Sequence, residues 1–193
     1  MAMEKLKQRI LAEGRVLPGN IIKVDGFLNH RIDTKLMEDM ADEFAKYLDV
    51  SKATMILTAE ASGIALATIC ANKYGLPMVF AKKAKSDNIE GGLYHSDIFS
   101  YTYKKKTTLL VSQQWIGKED RVLIIDDFMA NGFAVQGLID IVKEAGAELV
   151  GIGIAVEKGF QPGGENIRKM GIPTKSLAII ETADENGITF RED

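Results

Sequence analysis

Two adjacent carboxylates stand between an apolar run and a loop of small residues. The run covers residues 122–125, the acids are Asp126 and Asp127, and the loop ends in Gly132, where a helix is predicted to begin. Backbone N–H groups at such a helix start point outwards with the positive end of the helix dipole, which suits a phosphate. Gly132 carries no side chain, so a ligand can approach the backbone closely.

The acid pair needs a different kind of partner from the loop. Asp126 and Asp127 repel a phosphate, whereas sugar hydroxyls or a bound Mg²⁺ would satisfy them. A sugar phosphate meets both demands at once, so the segment predicts a site for one. Taken alone, the segment also fits two surface acids that cap a helix.

Short apolar runs that alternate with helical patterns must position this segment. The runs predict strands at 54–58, 78–81, 121–125, 148–156, 177–180 and 188–190. Apolar residues at helical spacing predict helices at 3–13, 34–48 (capped by Asp33 or Thr34), 62–74, 132–145 and 165–170. This alternation predicts an α/β fold with a central parallel sheet covered on both faces, in which ligands bind beyond the carboxyl ends of the strands.

Three stretches outside this alternation have their own patterns. Residues 16–30 are mixed in character and contain a turn at 18–20. Residues 84–97 are polar and contain glycines, which predicts a mobile loop. The β-rich runs at 98–103 and 107–111 predict a hairpin whose tip is the lysine run 104–106.

Composition excludes several classes of protein. The chain has 193 residues, of which 46% are hydrophobic and 26% charged, with a net charge of −3, so disorder and charge-driven nucleic-acid binding are not expected. No apolar run approaches the ~20 residues that span a bilayer, and the first residues lack a signal core, so we expect a cytoplasmic protein with no membrane partner. The single cysteine, Cys70, fits a reducing compartment. Two histidines are too few for a histidine-based metal site.

The acid pair and its loop resemble the signature of the type I phosphoribosyltransferases, which use phosphoribosyl pyrophosphate (PRPP). That signature often has Thr and Gly in the loop, where this chain has Ala130, Asn131 and Gly132. Nearly the whole chain is similar to the bacterial members that use xanthine, through the segments 23–30, 60–65, 126–132, 151–154 and 157–163. The acid loop alone indicates PRPP, whereas the segments 27–30 and 157–163 carry the specificity of the resemblance.

This resemblance implies the overall organisation of the chain. We expect the type I phosphoribosyltransferase fold in a single domain over residues 1–193, with a small hood built mainly from about 14–32. A flexible β-hairpin lid is expected at about 84–106, and its closure would exclude water from PRPP. The family also implies a homodimer, and a plain hairpin arm that makes dimer contacts is compatible with the lid.

The resemblance also assigns the PRPP-binding residues. Asp126 and Asp127 are the expected catalytic residues and should face the ribose hydroxyls. Backbone amides should hold the 5′-phosphate at Ala130, Asn131, Gly132, Phe133 and Ala134. The pyrophosphate should lie in the loop of Glu60, Ala61, Ser62 and Gly63, which as a small-residue turn before a helix is itself an anion nest. Lys82 and Lys83 could neutralise the pyrophosphate, although from spacing alone they also fit a solvated pair and the loop a plain turn.

The base site is expected under the hood. The resemblance implies Ile22, Asn29 and Lys158 at the base, with Phe128 packed on its ring face. A lysine offers only donors and a purine carbonyl only lone pairs, so Lys158 fits an oxidised purine and would face the amino group of adenine poorly. Each of these residues, taken alone, also fits an ordinary surface, turn or core position.

The implied reaction transfers the phosphoribosyl group of PRPP to xanthine, which gives xanthosine 5′-monophosphate and pyrophosphate. Mg²⁺ is expected to be bound with PRPP rather than by direct protein ligation. Three alternatives remain: a preference for guanine, hypoxanthine, adenine or orotate; a PRPP-sensing regulator; and a purely structural α/β domain. Regulators of this kind usually carry an additional DNA-binding domain, for which the roughly 30 residues before the second helix are too few, and the two anion loops argue against a structural domain.

Overall fold

A six-stranded sheet lies at the centre of the computed structural model. The structure describes residues 3–83, 91–100, 105–185 and 187–192. At 99–100 and 105–106 it describes the backbone alone. The strands are β1 (Arg15–Leu17), β2 (Ile21–Lys23), β3 (Met55–Ala59), β4 (Met78–Ala81), β5 (Leu93–Ser100), β6 (Lys105–Ser112), β7 (Arg121–Met129), β8 (Glu148–Lys158), β9 (Thr174–Asp184) and β10 (Gly187–Phe190). The helices are α1 (Glu4–Glu13), α2 (Thr34–Tyr47), α3 (Gly63–Tyr74), α4 (Phe133–Glu144) and α5 (Gly163–Arg168).

The central sheet confirms the predicted α/β architecture. Its strand order is β10-β9-β8-β7-β3-β4, and every neighbouring pair from β9 to β4 is parallel. Strand β10 adds an antiparallel edge, so the sheet is mixed rather than wholly parallel. The reason is local, because the few residues between β9 and β10 suffice for a hairpin, whereas a parallel crossover needs a dozen or more.

Alternate residues of β7 explain why both faces of the sheet are covered. Leu123 and Ile125 are buried with α1, α2 and α3 on one face, and Val122 and Ile124 are buried with α4 and α5 on the other. Successive side chains of a strand point to opposite faces, so a continuous apolar run is what a strand covered on both sides requires.

Residues 3–33 form a small cap that ends near the acid pair. Helix α1 is followed by the antiparallel hairpin β1–β2 and by a π-helical turn at Asp25–Asn29. Phe27 and Leu28 are fully buried in the core beneath α2, which fixes the position of Asn29 directly after them.

The region of the expected lid differs from the prediction. Residues 93–97 belong to β5 rather than to a loop, and β5 pairs antiparallel with β6, which already includes Lys105 and Lys106. Ser96 and Ile98 pack towards α4 while His95 and Asp97 are exposed, so the strand has a period of two that its polarity concealed. Residues 84–90 and 101–104, which include part of the expected lid and the expected hairpin tip, lie outside the described residues.

Strands β7 and β8 extend further than predicted, and this determines where the acids and Lys158 lie. Strand β7 continues to Met129, so Asp126 and Asp127 lie within it rather than after it. Strand β8 ends at Lys158, which is therefore its last residue. No helix in the described ranges is both long enough and apolar enough to cross a membrane.

Candidate active site

The carboxyl ends of β3, β7 and β8 lie side by side in the sheet and carry most of the predicted site residues. The loop after β3 contains Ser62, the end of β7 contains the two acids, and β8 ends at Lys158. Because parallel strands end at the same edge, these residues, far apart along the chain, converge at one place.

Asp127 is hydrogen-bonded to two other residues of this cluster. Its side chain is nearly inaccessible, at 2% exposure, and each carboxylate oxygen accepts one hydrogen bond. Oδ1 accepts from the Ser62 hydroxyl at 2.8 Å, and Oδ2 accepts from Asn29 Nδ2 at 3.1 Å. Asp127 therefore connects the predicted pyrophosphate loop to the predicted base-binding residue.

Asp126 lies beside Asp127 and is also buried. It is 5% exposed, and its Oδ1 accepts a hydrogen bond from the backbone N–H of Asp127 at 3.1 Å. Burial, together with the negative charge of Asp127, raises the pKa of Asp126 well above its ordinary value, while the Lys83 ammonium acts in the opposite direction. Two adjacent buried carboxyl groups thus resist being ionised together.

The turn before α3 approaches the acids closely. A Cβ atom at Gly63 would lie 2.3 Å from Asp126 Oδ1 and 2.2 Å from Thr58 Oγ1, so only glycine fits there. Ala61 and Ser62 remain exposed above this contact. The backbone N–H of Lys83 donates to the Glu60 carboxylate, and the Glu60–Ala61 peptide bond is cis. The structure therefore brings Glu60, Ser62 and Lys83 together near the acid pair.

Lys82 has a different setting from Lys83. Its backbone forms two hydrogen bonds with Leu110 of β6, at 2.9 and 2.8 Å, and it borders a cavity of about 820 Å³ that is also lined by Phe80 and Trp115. Lys82 thus lies where β4 meets the β5–β6 arm.

The loop after β7 has the geometry of an anion site. Gly132 has φ +81° and precedes α4, whose first N–H groups have no partner within the helix. Ala130, Asn131, Phe133 and Ala134 are partly exposed around it. The loop is fixed from behind, since a Cβ at Gly163 would lie 2.3 Å from the Ala130 carbonyl oxygen.

Lys158 faces the hairpin of the cap. Its Nζ donates to the backbone carbonyl of Asn20 at 3.0 Å and lies 5.8 Å from the centre of the Phe128 ring. Partial burial lowers the pKa of Lys158. Ile22 is buried two residues beyond Asn20 and belongs to the core cluster against which Phe128 packs. An ammonium has three donors, so a carbonyl-bearing ring could use those that Asn20 leaves.

Sequence reasoning missed two residues of this region. Asn20 has φ +58°, an uncommon conformation for a residue other than glycine, and this turns its carbonyl to Lys158. The Pro-Gly-Asn sequence signals the turn but not the contact. Thr58 is fully buried beneath Gly63, and its hydroxyl has no hydrogen-bond partner among the described residues. The sequence pattern identifies Thr58 only as part of an apolar strand.

This arrangement suits a ligand with several different chemical groups. Anionic groups fit the two loops, hydroxyl groups fit the carboxylates between them, and a flat ring fits the space near Phe128 and the hairpin. No three His, Cys, Asp or Glu side chains in the described parts of the chain converge as a metal-ligand cluster.

Comparisons with known proteins agree with this architecture. The chain is 50% identical over 193 residues to a xanthine phosphoribosyltransferase of Lachnoclostridium phytofermentans, with 99% of this chain and 100% of the relative covered. It is 49% identical over 189 residues to a xanthine phosphoribosyltransferase of Laribacter hongkongensis, with 97% and 100% covered.

Solved structures with low sequence identity share the fold. A crystal structure of an adenine phosphoribosyltransferase from Giardia lamblia in complex with 9-deazaadenine has a TM-score of 0.74 at 21% identity, with 89% of this chain and 96% of that chain covered. The adenine phosphoribosyltransferase of Saccharomyces cerevisiae gives 0.73 at 19% identity, with 91% and 99% covered. The family model described as phosphoribosyl transferase domain matches residues 28–185, and the chain therefore belongs to the phosphoribosyltransferase family.

Proposed function

We propose that this protein transfers the phosphoribosyl group of PRPP to xanthine and releases xanthosine 5′-monophosphate and pyrophosphate, a purine salvage reaction. The observation that carries the proposal is the bonding of Asp127 to both Ser62 and Asn29, because it joins a PRPP-binding loop to a base-binding residue through one buried carboxylate. The xanthine phosphoribosyltransferases that match nearly the whole chain support the choice of base.

The chain would catalyse this reaction by position and charge. The loop at 130–134 would hold the 5′-phosphate and the loop at 60–63 the pyrophosphate, so that the anomeric carbon lies between them. Asp126 and Asp127 would bind the ribose hydroxyls, and negative charge there stabilises the positive charge that develops on the sugar as pyrophosphate departs. Orientation of the base against that carbon supplies much of the remaining rate enhancement, and no covalent nucleophile is needed.

The base would be selected by its carbonyl groups. Lys158 has a donor-only ammonium held by Asn20 and close to the Phe128 ring. A purine carbonyl would accept from it, whereas the amino group of adenine would leave two donors facing each other. A buried donor without an acceptor costs about 1–3 kcal/mol, which is enough to favour oxidised purines over adenine.

Mg²⁺ would enter with PRPP. Mg²⁺ dehydrates reluctantly and usually keeps several waters in phosphate-transfer sites. We expect PRPP oxygens and water to hold the ion without direct ligation by the protein, while Asp126 and Asp127 bind the ribose hydroxyls. When bound, the ion would neutralise charge on the departing pyrophosphate.

We further propose a homodimer in the cytoplasm. Trp115 is 65% exposed at the mouth of the cavity beside the edge strand β4, and a second copy of the chain would cover it. The single cysteine is buried, in keeping with a reducing compartment. Mass measurement by light scattering, for the wild type and for Trp115→Lys, tests the assembly: we expect a dimer that the substitution weakens, and a monomeric wild type would contradict it.

A turnover assay tests the reaction. The protein is given PRPP and Mg²⁺ with xanthine, guanine, hypoxanthine, adenine or orotate in separate reactions, and kcat/KM is measured for each. We expect xanthine to give the highest value. If another base gives it, the assignment of the base site is wrong while the PRPP site stands, and PRPP binding without any turnover would favour a PRPP-sensing regulator.

A further inference from the structure

Behind the proposed site, an ion pair between a buried glutamate and a half-buried arginine joins β8 to α5. Glu157 precedes Lys158 in β8 and is 1% exposed, and the guanidinium of Arg168 donates to both of its oxygens, at 2.7 and 2.8 Å. The Ser176 hydroxyl of β9 donates to the same carboxylate. We propose that Arg168 is a positioning residue: through this pair it keeps Lys158 in register with the phosphate loop 130–132. This inference rests on the proposed function, in which Lys158 binds the base and the loop binds the 5′-phosphate.

Two adjacent glycines let α5 pack closely against both the Glu157 carboxylate and the phosphate loop. A Cβ at Gly164 would lie 1.9 Å from Glu157 Oε1, so the helix backbone rests directly on the carboxylate. A Cβ at Gly163 would lie 2.6 Å from the backbone nitrogen of Gly132, so the same turn of helix rests on the loop. Helix α5 is therefore in close contact with the Glu157 carboxylate and with the loop at once, so we expect a shift of α5 to displace the loop.

Helix α5 needs this external support. It has six residues, and helices of fewer than about 12 residues are marginal on their own in water. Its last residue, Arg168, forms the bidentate pair, whose planar fork fixes orientation as well as distance. A lysine at this position would keep the charge but would act as a point donor, so it would fix the distance without the orientation.

The position of the pair predicts a distinctive kinetic signature. Lys158 lies next to Glu157, and the phosphate loop lies against α5, so loosening the pair should weaken the binding of both substrates together. A side chain that only binds the base would raise the KM of the base alone. A side chain that only stabilises the fold would lower the active fraction, and hence kcat, with both KM values unchanged.

Three variants test this inference. Arg168→Ala removes the pair and Arg168→Lys removes its bidentate geometry. Lys169→Ala, the control, removes an exposed ion pair between Glu165 of the same helix and the residue that directly follows the helix. We expect the KM values of xanthine and PRPP to rise together, by about tenfold for Arg168→Ala and less for Arg168→Lys, since small misplacements of binding groups have effects up to about 10²-fold. The control should match the wild type.

Chemical rescue separates positioning from folding. Because Arg168→Ala leaves a buried carboxylate without its partner, each variant is first checked by thermal melting, and Arg168→Lys carries the test if Arg168→Ala does not fold. Added guanidinium at millimolar concentration should lower both KM values of Arg168→Ala, whereas sodium chloride at equal ionic strength should not.

Three results would overturn the inference: unchanged KM values in both Arg168 variants, a rise in only one of the two KM values, or an equal effect in the Lys169 control. The wild-type base assay is independent of these outcomes. If the wild type prefers another base, the same variants are measured with that base. If the wild type has no turnover, the proposed function fails, and the Kd of PRPP for each variant tests the phosphate side of the inference.

Discussion

Asp127→Asn separates the chemical role of the acid pair from its structural role. The substitution keeps the size and shape of the side chain and removes its charge. The Asn oxygen can accept from Asn29 Nδ2, as Asp127 does now at 3.1 Å, and its NH₂ can donate to the Ser62 hydroxyl, which now donates to Asp127 at 2.8 Å. A hydroxyl can act as donor or acceptor, so neither existing hydrogen bond need be lost.

The expected effect on stability is small. Two hydrogen bonds to a charged group, worth about 1.5–3 kcal/mol each, become neutral bonds worth about 0.5–1.5 kcal/mol each, a loss of roughly 2–3 kcal/mol. The same substitution removes a buried charge beside Asp126, whose pKa is raised by burial and by that charge. Relief of this repulsion opposes the loss, so we expect the free energy of unfolding to fall by less than about 2 kcal/mol.

The expected effect on turnover is larger. Removal of one charge-stabilising group aimed at a transition state costs about 10²–10³ in kcat, or roughly 3–4 kcal/mol. A carboxylate at Asp127 would act in a nearly dry site, where its attraction for a positive sugar carbon is weakly screened. The loss in activation free energy should therefore exceed the loss in stability.

Steady-state kinetics with xanthine and PRPP, together with urea unfolding, measures both quantities on one preparation. Asp49→Asn is a matched control, because Asp49 also accepts a hydrogen bond from a serine, Ser51, but on the exposed surface. We expect the control to keep wild-type kcat. A kcat for Asp127→Asn within threefold of the wild type would refute the assignment, as would a loss of activity no larger than the unfolded fraction explains.

Further substitutions test neighbouring parts of the site. The raised pKa of Asp126 means that the native state binds a proton there more tightly than the unfolded chain, in which an aspartate has a pKa of about 3.9. The free energy of unfolding of the ligand-free protein should therefore fall as pH rises above about 4. Asp126→Asn should flatten that fall in urea titrations, and an identical pH profile would refute the cause. Lys158→Ala should raise the KM of xanthine about tenfold or more, from the loss of a charged hydrogen bond, and equal weakening of PRPP would contradict its role at the base. Asn20→Val should also raise the KM of xanthine, since a β-branched residue disfavours φ +58°. Asn20→Gly should leave that KM unchanged, and an equal rise in both variants would implicate the Asn20 side chain instead of its backbone conformation.

The sheet and its helices could be predicted because their signals are local. The side chain of Asp33 accepts from the backbone N–H of Leu36 at 3.0 Å, which is the helix cap predicted from residue type. Strand β4 covers the predicted residues 78–81 because an apolar run between Pro77 and a lysine pair has clear limits. Residues 93–97 were predicted wrongly because their inward side chains include Ser96, which is buried but polar.

The extension of β7 through the acids could not be predicted, because its cause is not local. Burial of two carboxylates is costly unless they are hydrogen-bonded, so nothing within the segment itself indicates that a buried strand continues through them. The donors that make burial of Asp127 possible, Ser62 and Asn29, lie 65 and 98 positions away in the sequence. The Lys158–Asn20 contact spans 138 positions. The residues of the loop at 130–132, by contrast, are contiguous, so the sequence alone suffices to predict an anion site there.

If Asn29 binds the base as proposed, the acid pair should also help to define which edge of a base the protein accepts. A carboxylate can only accept hydrogen bonds, so Asp127 obliges Asn29 to present its NH₂ group and leaves the amide oxygen for another partner. That oxygen suits a ring N–H, while the Lys158 ammonium suits a ring carbonyl. Xanthine carries both groups on its six-membered ring, and adenine carries neither there. Exclusion of adenine is thus expected from two separate positions, Asn29 and Lys158, and only the first depends on Asp127. In Asp127→Asn the new amide can either accept from Asn29 or donate to it, so Asn29 is no longer held in one orientation. The substitution should therefore relax discrimination against adenine as well as slow turnover, whereas Asp49→Asn should change neither.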